Sequence, residues 1–397
     1  MQKKTIRDIK VAGKRVLVRV DFNVPLDINT AVIANDSRIR ASLPTIKYLV
    51  EHKAKIILCS HLGRPNGKVV QELRIAPIAR RLSQLIGLPV SVSPDCINQG
   101  VENEVKSLKQ GDILFLENLR FHPEEQANDP HFAQELAQLA DIYVNDAFSA
   151  AHRAHASTVG VPRYLPAVAG FLMEEELNIM GKLLRAPAHP FVCLIGGAKV
   201  SDKIGLVQNM LKKVDTLLIG GGMAATFIKA QGYETGHSLV EKDKLTLAKE
   251  LLKEAEEWKI PLLLPVDVLV AEEIKPEAST KVVPISDIPS GSYLVDIGPK
   301  TIELFSSELK KCHTIMWNGP LGIYEIPQFA QGTRSLAKLL SSVNATTIIG
   351  GGSSAEIVQE MGLSDKMTHV STGGGASLRF LEGLPLPGVE ALPDKTN

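Results

Sequence analysis

Short apolar runs recur along the whole chain, each followed by a polar or glycine-rich corner and then an amphipathic stretch. A strand buried on both faces of a parallel sheet is a near-continuous apolar run, and parallel neighbours need a crossover, usually a helix. The alternation therefore predicts an α/β architecture of parallel sheets with crossover helices. In the first half the predicted strands are 15–20, 55–60, 112–116 and 141–145. In the second half they are 191–195, 216–219, 261–265, 314–317, 346–349 and 368–370. Helices are predicted over 244–259 and 327–340. Another is predicted after Ser201, whose side chain is placed to cap an apolar face of Ile204, Val207, Leu211 and Val214.

A chain of 397 residues is too long for one typical core and predicts two domains. The stretch 172–185 carries Leu177, Met180 and Leu184 at helical spacing, and Pro187 and Pro190 stop it. On pattern alone it is either one more crossover helix or a helix joining two domains. Lys plus Arg and Asp plus Glu are 44 each, so no net charge draws the chain to nucleic acid or membrane. Cys59, Cys96, Cys193 and Cys312 are widely spaced with no CxxC pair, which points to a reducing compartment rather than zinc or disulfides. Residues 1–9 lack the apolar core of a signal peptide, and no apolar run nears the roughly 20 residues of a membrane span. A cytoplasmic location is the expectation.

Ligands of open α/β sheets bind beyond the carboxyl ends of the strands. In the first half those corners hold Asp21-Phe22-Asn23, Ser60-His61-Leu62-Gly63-Arg64, Glu117-Asn118-Leu119-Arg120 and Asn145-Asp146, with His152, Arg153 and His155 just beyond. In the second half they hold Gly196-Gly197-Ala198-Lys199, Gly220-Gly221-Gly222, Asn318-Gly319-Pro320, Gly350-Gly351-Gly352 and Gly373-Gly374-Gly375. Converging guanidinium forks suit a compact, multiply charged carboxylate or phosphate. Glycine corners at helix starts let backbone N–H groups approach polyphosphate. One half thus reads as a small-anion site and the other as a nucleotide site. Each feature also has a plain reading: a glycine triplet as a tight turn, a lone arginine as a surface ion pair. The histidines lack partners at metal-ligand spacing, so no protein metal site is predicted. The P-loop signature Gly-x-x-x-x-Gly-Lys-Ser/Thr is absent, as are an opening Gly-x-Gly-x-x-Gly and a Gly-x-Ser-x-Gly elbow.

Taken together and in order, the corners resemble the phosphoglycerate kinase family. The matching stretches run from Arg19-Val20-Asp21-Phe22-Asn23-Val24-Pro25 to Ser371-Thr372-Gly373-Gly374-Gly375-Ala376-Ser377-Leu378 and include Trp317-Asn318-Gly319-Pro320. The resemblance implies two doubly wound parallel-sheet domains facing a cleft, joined by a helix, with a C-terminal tail returning to the first domain. The expected divisions are 1–171, 172–186, 187–369 and 370–397. It implies binding of 3-phosphoglycerate or 1,3-bisphosphoglycerate by Asp21, Phe22, Asn23, Arg38, His61, Leu62, Gly63, Arg64, Arg120 and Arg153. It implies binding of ADP or ATP, with Mg²⁺, by Gly197, Ala198, Lys199, Lys203, Gly220, Gly221, Leu239, Asn318, Pro320, Glu325, Gly351, Gly352, Ser353 and Ser354. Arg38, Lys199 and the backbone of Gly373, Gly374 and Gly375 are the expected catalytic groups.

The resemblance further implies a monomer and domain closure, with Glu176 and His369 as candidate hinge residues. One departure stands out: Ser353 occupies a position where the family usually carries an aspartate. Ser353-Ser354-Ala355-Glu356 reads as a capping box instead. Two other readings stay open, another ATP:carboxylate kinase and a nucleotide-binding protein that has lost catalysis.

Overall fold

The structure is a computed structural model that describes residues 2–27 and 33–395. Residues 1, 28–32 and 396–397, which the domain expectations also span, lie outside the described residues. The chain forms two compact units, Met1–Gly181 with Pro385–Asn397, and Lys182–Leu384. The helix Phe171–Arg185 carries the division.

The first unit is built on six parallel strands: β1 (Arg15–Arg19), β2 (Lys55–Cys59), β3 (Val90–Val92), β4 (Ile113–Phe115), β5 (Ile142–Asn145) and β6 (Ala167–Ala169). Their order is β3-β4-β2-β1-β5-β6. Val16, Leu17, Val18, Ile56, Ile57 and Leu58 are fully buried, because helices cover both faces. The chain proceeds from β1 to one side of the sheet and returns at β5 on the other, so the order reverses between β1 and β5.

The second unit repeats the plan with β7 (Phe191–Ile195), β8 (Thr216–Ile219), β9 (Leu262–Leu263), β13 (Thr314–Asn318), β14 (Thr346–Gly350) and β15 (His369–Val370). Their order is β15-β14-β13-β7-β8-β9, which reverses between β7 and β13. Between β9 and β13 lies a small antiparallel sheet of β10 (Asp267–Ala271), β11 (Thr280–Pro284) and β12 (Tyr293–Ile297). The sequence reading did not anticipate this sheet, nor the short strands β3 and β6.

Two helix starts differ from expectation. Ser201 does not cap the helix Ile204–Leu211; Lys203 precedes that helix, and the Ser201 N–H donates to Glu241. The helix Gly352–Glu360 has no side-chain cap, because Gly351 at positive φ precedes it and Ser353 lies inside the first turn. The capping box is therefore not formed.

The C-terminal segment packs on the first unit. Leu386, Val389 and Leu392 are buried, Lys3 Nζ donates to the Leu392 carbonyl (2.8 Å), and the Asn145 amide donates to the Gly388 carbonyl (3.3 Å). Next to Asn145, Asp146 is fully buried and accepts the Leu172 N–H (3.0 Å) at the start of the helix Phe171–Arg185. No helix among the described residues is long and apolar enough to cross a membrane.

Burial pushes the Asp146 carboxyl up to about 7, against the hydrogen bonds it accepts. A raised folded-state pKa gives stability that is full below the unfolded value, near 4, and lost as pH rises through about 7. Asp146→Asn keeps the acceptor without the titration. Urea unfolding is expected to show wild type losing stability from pH 4 to 8 relative to Asp146→Asn. Parallel profiles would remove this role.

Candidate active site

The first unit's polar corner forms where the sheet order reverses. Asp21, two residues beyond β1, accepts from Arg38 (2.8 Å) and from the Ser149 hydroxyl beyond β5. Asn23 takes the Gly63 N–H on its side-chain oxygen (2.9 Å), and the Phe22 N–H donates to Ser60 Oγ (2.9 Å). Asn118 joins the corners after β2 and β4. It accepts from the N–H groups of Leu62 and Arg120 (3.1 Å each) and donates to the Leu62 carbonyl (2.8 Å). The Gly63 carbonyl in turn accepts from Arg120 (2.7 Å).

Beneath this corner lies Arg19, 1% exposed at the end of β1. Its Nε donates to Ser157 Oγ (2.9 Å), whose hydroxyl donates to the buried Glu125 (2.6 Å). One terminal nitrogen contacts His61 Nδ1 (3.1 Å). Arginine has no acceptor, so Nδ1 must accept and Nε2 keeps the hydrogen. Burial, opposed by Asp21 and reinforced by Arg19, Arg120 and Arg153, holds His61 well below the usual imidazole range. His61 is therefore a neutral donor.

Burial alone would raise Asp21, yet its cationic neighbours hold it ionised, below the usual carboxylate range. Because His61 is neutral, Arg38 and Arg19 supply that charge. Burial and the charges of Arg153 and Arg19 lower Arg120 to about 10. Its Nε is buried without a partner. Arg64 is exposed on the loop after β2.

The second unit's corner also forms at its order reversal, and here backbone touches backbone. Gly196 N–H donates to the Asn318 carbonyl and Gly197 N–H to the Pro320 carbonyl (2.9 Å each). Met223 N–H, after Gly220 and Gly221, donates to the Gly197 carbonyl (3.0 Å). A Cβ at Gly196 would lie 2.1 Å from the Pro320 carbonyl oxygen, and one at Gly319, itself at positive φ, 2.3 Å from that of Gly196. Only glycine permits this approach.

These corners open onto a cavity of about 490 Å³ lined by Gly197, Ala198, Gly221, Leu239, Pro320 and Glu325. β12 contributes Tyr293 and Val295 to its wall. Asp296, which also lines it, is pushed up to about 7 by burial. The volume is within the usual range for a small-molecule site.

Beside Gly197, Lys203 Nζ donates to Asn318 Oδ1, and burial lowers its pKa. The Asn318 amide nitrogen is buried without a partner, close to Gly351. Ser354 Oγ accepts the Gly319 N–H (2.6 Å). Gly351, Gly352, Ser353 and Ser354 thus sit at the start of the helix Gly352–Glu360, and Lys199 is exposed after β7. Gly373 N–H donates to Ser371 Oγ (3.1 Å), and the helix Gly375–Leu381 packs on Ile204–Leu211. Glu176 is buried in its helix and His369 in β15.

Arg19, Asn118 and Ser149 were missed as site builders. An arginine directly after the apolar run Val16-Leu17-Val18 was the available signal for Arg19, and its position is as buried as that run.

Two doubly wound α/β units, each with a polar corner at its order reversal, define a class of two-domain ligand-binding α/β proteins. The family model for phosphoglycerate kinase matches residues 6–384, and the chain belongs to that family. The phosphoglycerate kinase of Dictyoglomus turgidum is 57% identical over 100% of both chains, and that of Moorella thermoacetica 54% identical over 100% of both. The solved structure of the Coxiella burnetii phosphoglycerate kinase matches with TM-score 0.88 at 40% identity, covering 98% of each chain. That of Pyrococcus horikoshii matches with TM-score 0.86 at 32% identity, again over 98% of each.

Replacing Arg19 by Met removes both the positive neighbour and the donor facing His61. The His61 titration, followed by ¹⁵N NMR, is expected to move upward in Arg19→Met. An unmoved titration would show that Arg19 does not control His61.

Proposed function

We propose that the chain catalyses 1,3-bisphosphoglycerate plus MgADP giving 3-phosphoglycerate plus MgATP, reversibly, with the arginine corner holding the acid and the glycine corner the nucleotide. The observation that carries this reading is Arg120: a buried guanidinium nitrogen with no partner, set among like charges. A buried polar group left unpaired costs about 1–3 kcal/mol, more if charged, and an incoming anion relieves that cost. On the nucleotide side, Lys203 and the unpartnered Asn318 amide offer the matching donors for phosphate beside the cavity.

In the direction of ATP use, the nucleophile is a carboxylate. It is already ionised, so no general base is required. A carboxylate oxygen forms a bond to the γ-phosphorus, the bridging P–O bond breaks, and ADP leaves with the electron pair. Such transfer depends on positioning and on neutralising the equatorial oxygens. Arg38 and Lys199 take that task. His61, neutral with hydrogen on Nε2, donates to the acid without adding charge. Asp21 stays ionised and accepts from a hydroxyl.

Backbone N–H groups at the helix starts after Gly351 and Gly373 complete the anion cradle. The Gly373 N–H already serves Ser371, so Gly374 and Gly375 are the better placed pair. Transfer also requires ligands on two separately folded units to be brought together, which excludes competing water.

Mg²⁺ enters as part of the nucleotide substrate. The residues of the Gly350–Gly352 corner include no carboxylate, since Ser353 offers only a hydroxyl. Phosphate oxygens and water then hold the ion, as is common for Mg²⁺. We further propose a monomer working in the cytoplasm; the four cysteines are free, which suits a reducing compartment.

The test is a coupled assay with 3-phosphoglycerate, MgATP and an NADH-linked readout of 1,3-bisphosphoglycerate. Turnover above about 10 s⁻¹, a typical enzyme rate, is expected. Arg38→Ala and Lys199→Ala are each expected to lose roughly 10³–10⁵ in kcat, the scale of a transition-state charge clamp, with Tm little changed. Near-normal kcat in either variant would remove that residue from the mechanism.

Ser353→Asp is expected to leave the Mg²⁺ dependence and the nucleotide KM unchanged. A tighter nucleotide KM at lower Mg²⁺ would show that Ser353 weakens metal-nucleotide binding.

A further inference from the structure

Outside the substrate corners, one group of side chains brings three different metal-ligating atoms together. Asp95 and Cys96 lie on the loop after β3, and His122 follows the Arg120 turn after β4. A carboxylate oxygen, the Cys96 sulfur and a His122 ring nitrogen all lie within 4.8 Å of one another. Asp95 Oδ1 and His122 Nε2 are 2.7 Å apart. Cys96 is fully buried, and its thiol donates to the Glu117 carbonyl (3.0 Å). The side chains of Asp95 and His122 are 38% and 25% exposed, so solvent reaches one side of the group.

We propose that Asp95, Cys96 and His122 form a binding site for a zinc-class divalent ion. One thiolate, one imidazole and one carboxylate are a borderline donor set, which selects such ions over Mg²⁺ or Ca²⁺. Bonds of about 2.0–2.3 Å to a tetrahedral ion set ligand atoms roughly 3.3–3.8 Å apart. The His122–Asp95 contact must open by part of an ångström and the sulfur must turn inward. A single side chain on each of two adjoining loops makes those movements, and the Glu117 N–H to Asp95 carbonyl bond (3.4 Å) already ties the loops together. Water on the exposed side fills the fourth position. Binding replaces the thiol proton: the S–H bond breaks, the S–Zn bond forms, and the proton passes to solvent. Asn98, donating to Asp95 Oδ2 (3.2 Å), and Phe132, whose ring lies 5.1 Å from that of His122, hold two of the ligands from behind.

The site is distinct from the nucleotide's Mg²⁺. It lies in the first unit and uses none of the residues assigned to the substrates. It does share a loop with Arg120, so an ion there would brace the turn that presents that guanidinium.

Co²⁺ is the spectroscopic probe, because a thiolate ligand gives a charge-transfer band that carboxylate and imidazole do not. Titration of the metal-stripped full chain with Co²⁺ is expected to give that band with a single equivalent and to lose it when Zn²⁺ is added. Cys96→Ser is expected to abolish the band. His122→Ala is expected to weaken Zn²⁺ binding, measured by calorimetry, by roughly 100-fold or more, since losing a direct ligand exceeds the ~10–100-fold lost with the partners behind one. Should Cys96→Ser fold poorly, Asp95→Asn, at a half-exposed position, makes the same comparison by calorimetry. All three variants are expected to keep kinase activity in zinc-free buffer. Absence of the band in wild type would overturn the proposal. So would a Zn²⁺ affinity that survives in Cys96→Ser and Asp95→Asn.

Discussion

Parallel strands can be joined only by crossovers, and where successive crossovers leave in opposite directions nothing covers the strand ends between them. Both units depend on that gap. In the first it falls between β1 and β5, and Asp21 and Ser149 meet across it. In the second it falls between β7 and β13, and Gly196 and Gly197 meet Asn318 and Pro320 across it. The same topological fact yields two chemistries because different residues stand at the gap. Side chains fill it in the first unit; in the second, glycines let backbone approach backbone so closely that a methyl group would not fit.

The electrostatics follow from what fills each gap. The first unit concentrates Arg19, Arg38, Arg120 and Arg153 around the ionised Asp21 and the neutral His61 beside it. Burying cations is expensive unless they are paired or hydrogen-bonded. Arg19 meets that demand through Ser157 and Glu125, whereas Arg120 is left short of one partner. The zero net charge of the whole chain is therefore silent about the site, because the imbalance is local. The second unit uses Lys203, one amide and a row of N–H groups, donors that suit a longer, more diffuse polyphosphate.

Legibility in the sequence tracked burial within the two parallel sheets but not in the small antiparallel sheet. β1, β2, β7 and β13 are apolar runs because both faces are covered, and their corners stood out as the polar interruptions. β10, β11 and β12 were not legible. β11 is mostly exposed and holds only the short pair Val282-Val283, whereas β10 and β12 are apolar and largely buried, so burial does not account for those two. Ser201 and Ser353 had the composition of caps. Their helices start elsewhere because glycine geometry and tertiary hydrogen bonds, such as the one to Glu241, prevailed over local preference. Arg120 could be named from its corner, but the reason for its position could not, since Asn118 acts through contacts with a strand end 56 residues away.

That last dependence explains how a short turn can present a charged side chain with fixed aim. Asn118 accepts the Arg120 N–H and bonds both ways with Leu62, while Glu117 accepts from Arg74 and from the N–H groups of Ile75 and Asn118. The backbone on either side of Arg120 is thus held before any ligand arrives. Ordering a rotamer-rich side chain costs about 0.5–1.5 kcal/mol on binding, and a loop costs more. Here the loop part of that cost is met during folding, and the Gly63 carbonyl already holds one guanidinium nitrogen, so little of Arg120 is left to order on binding. The polar residues that never touch a ligand are, on this argument, as necessary to tight anion capture as the arginines themselves.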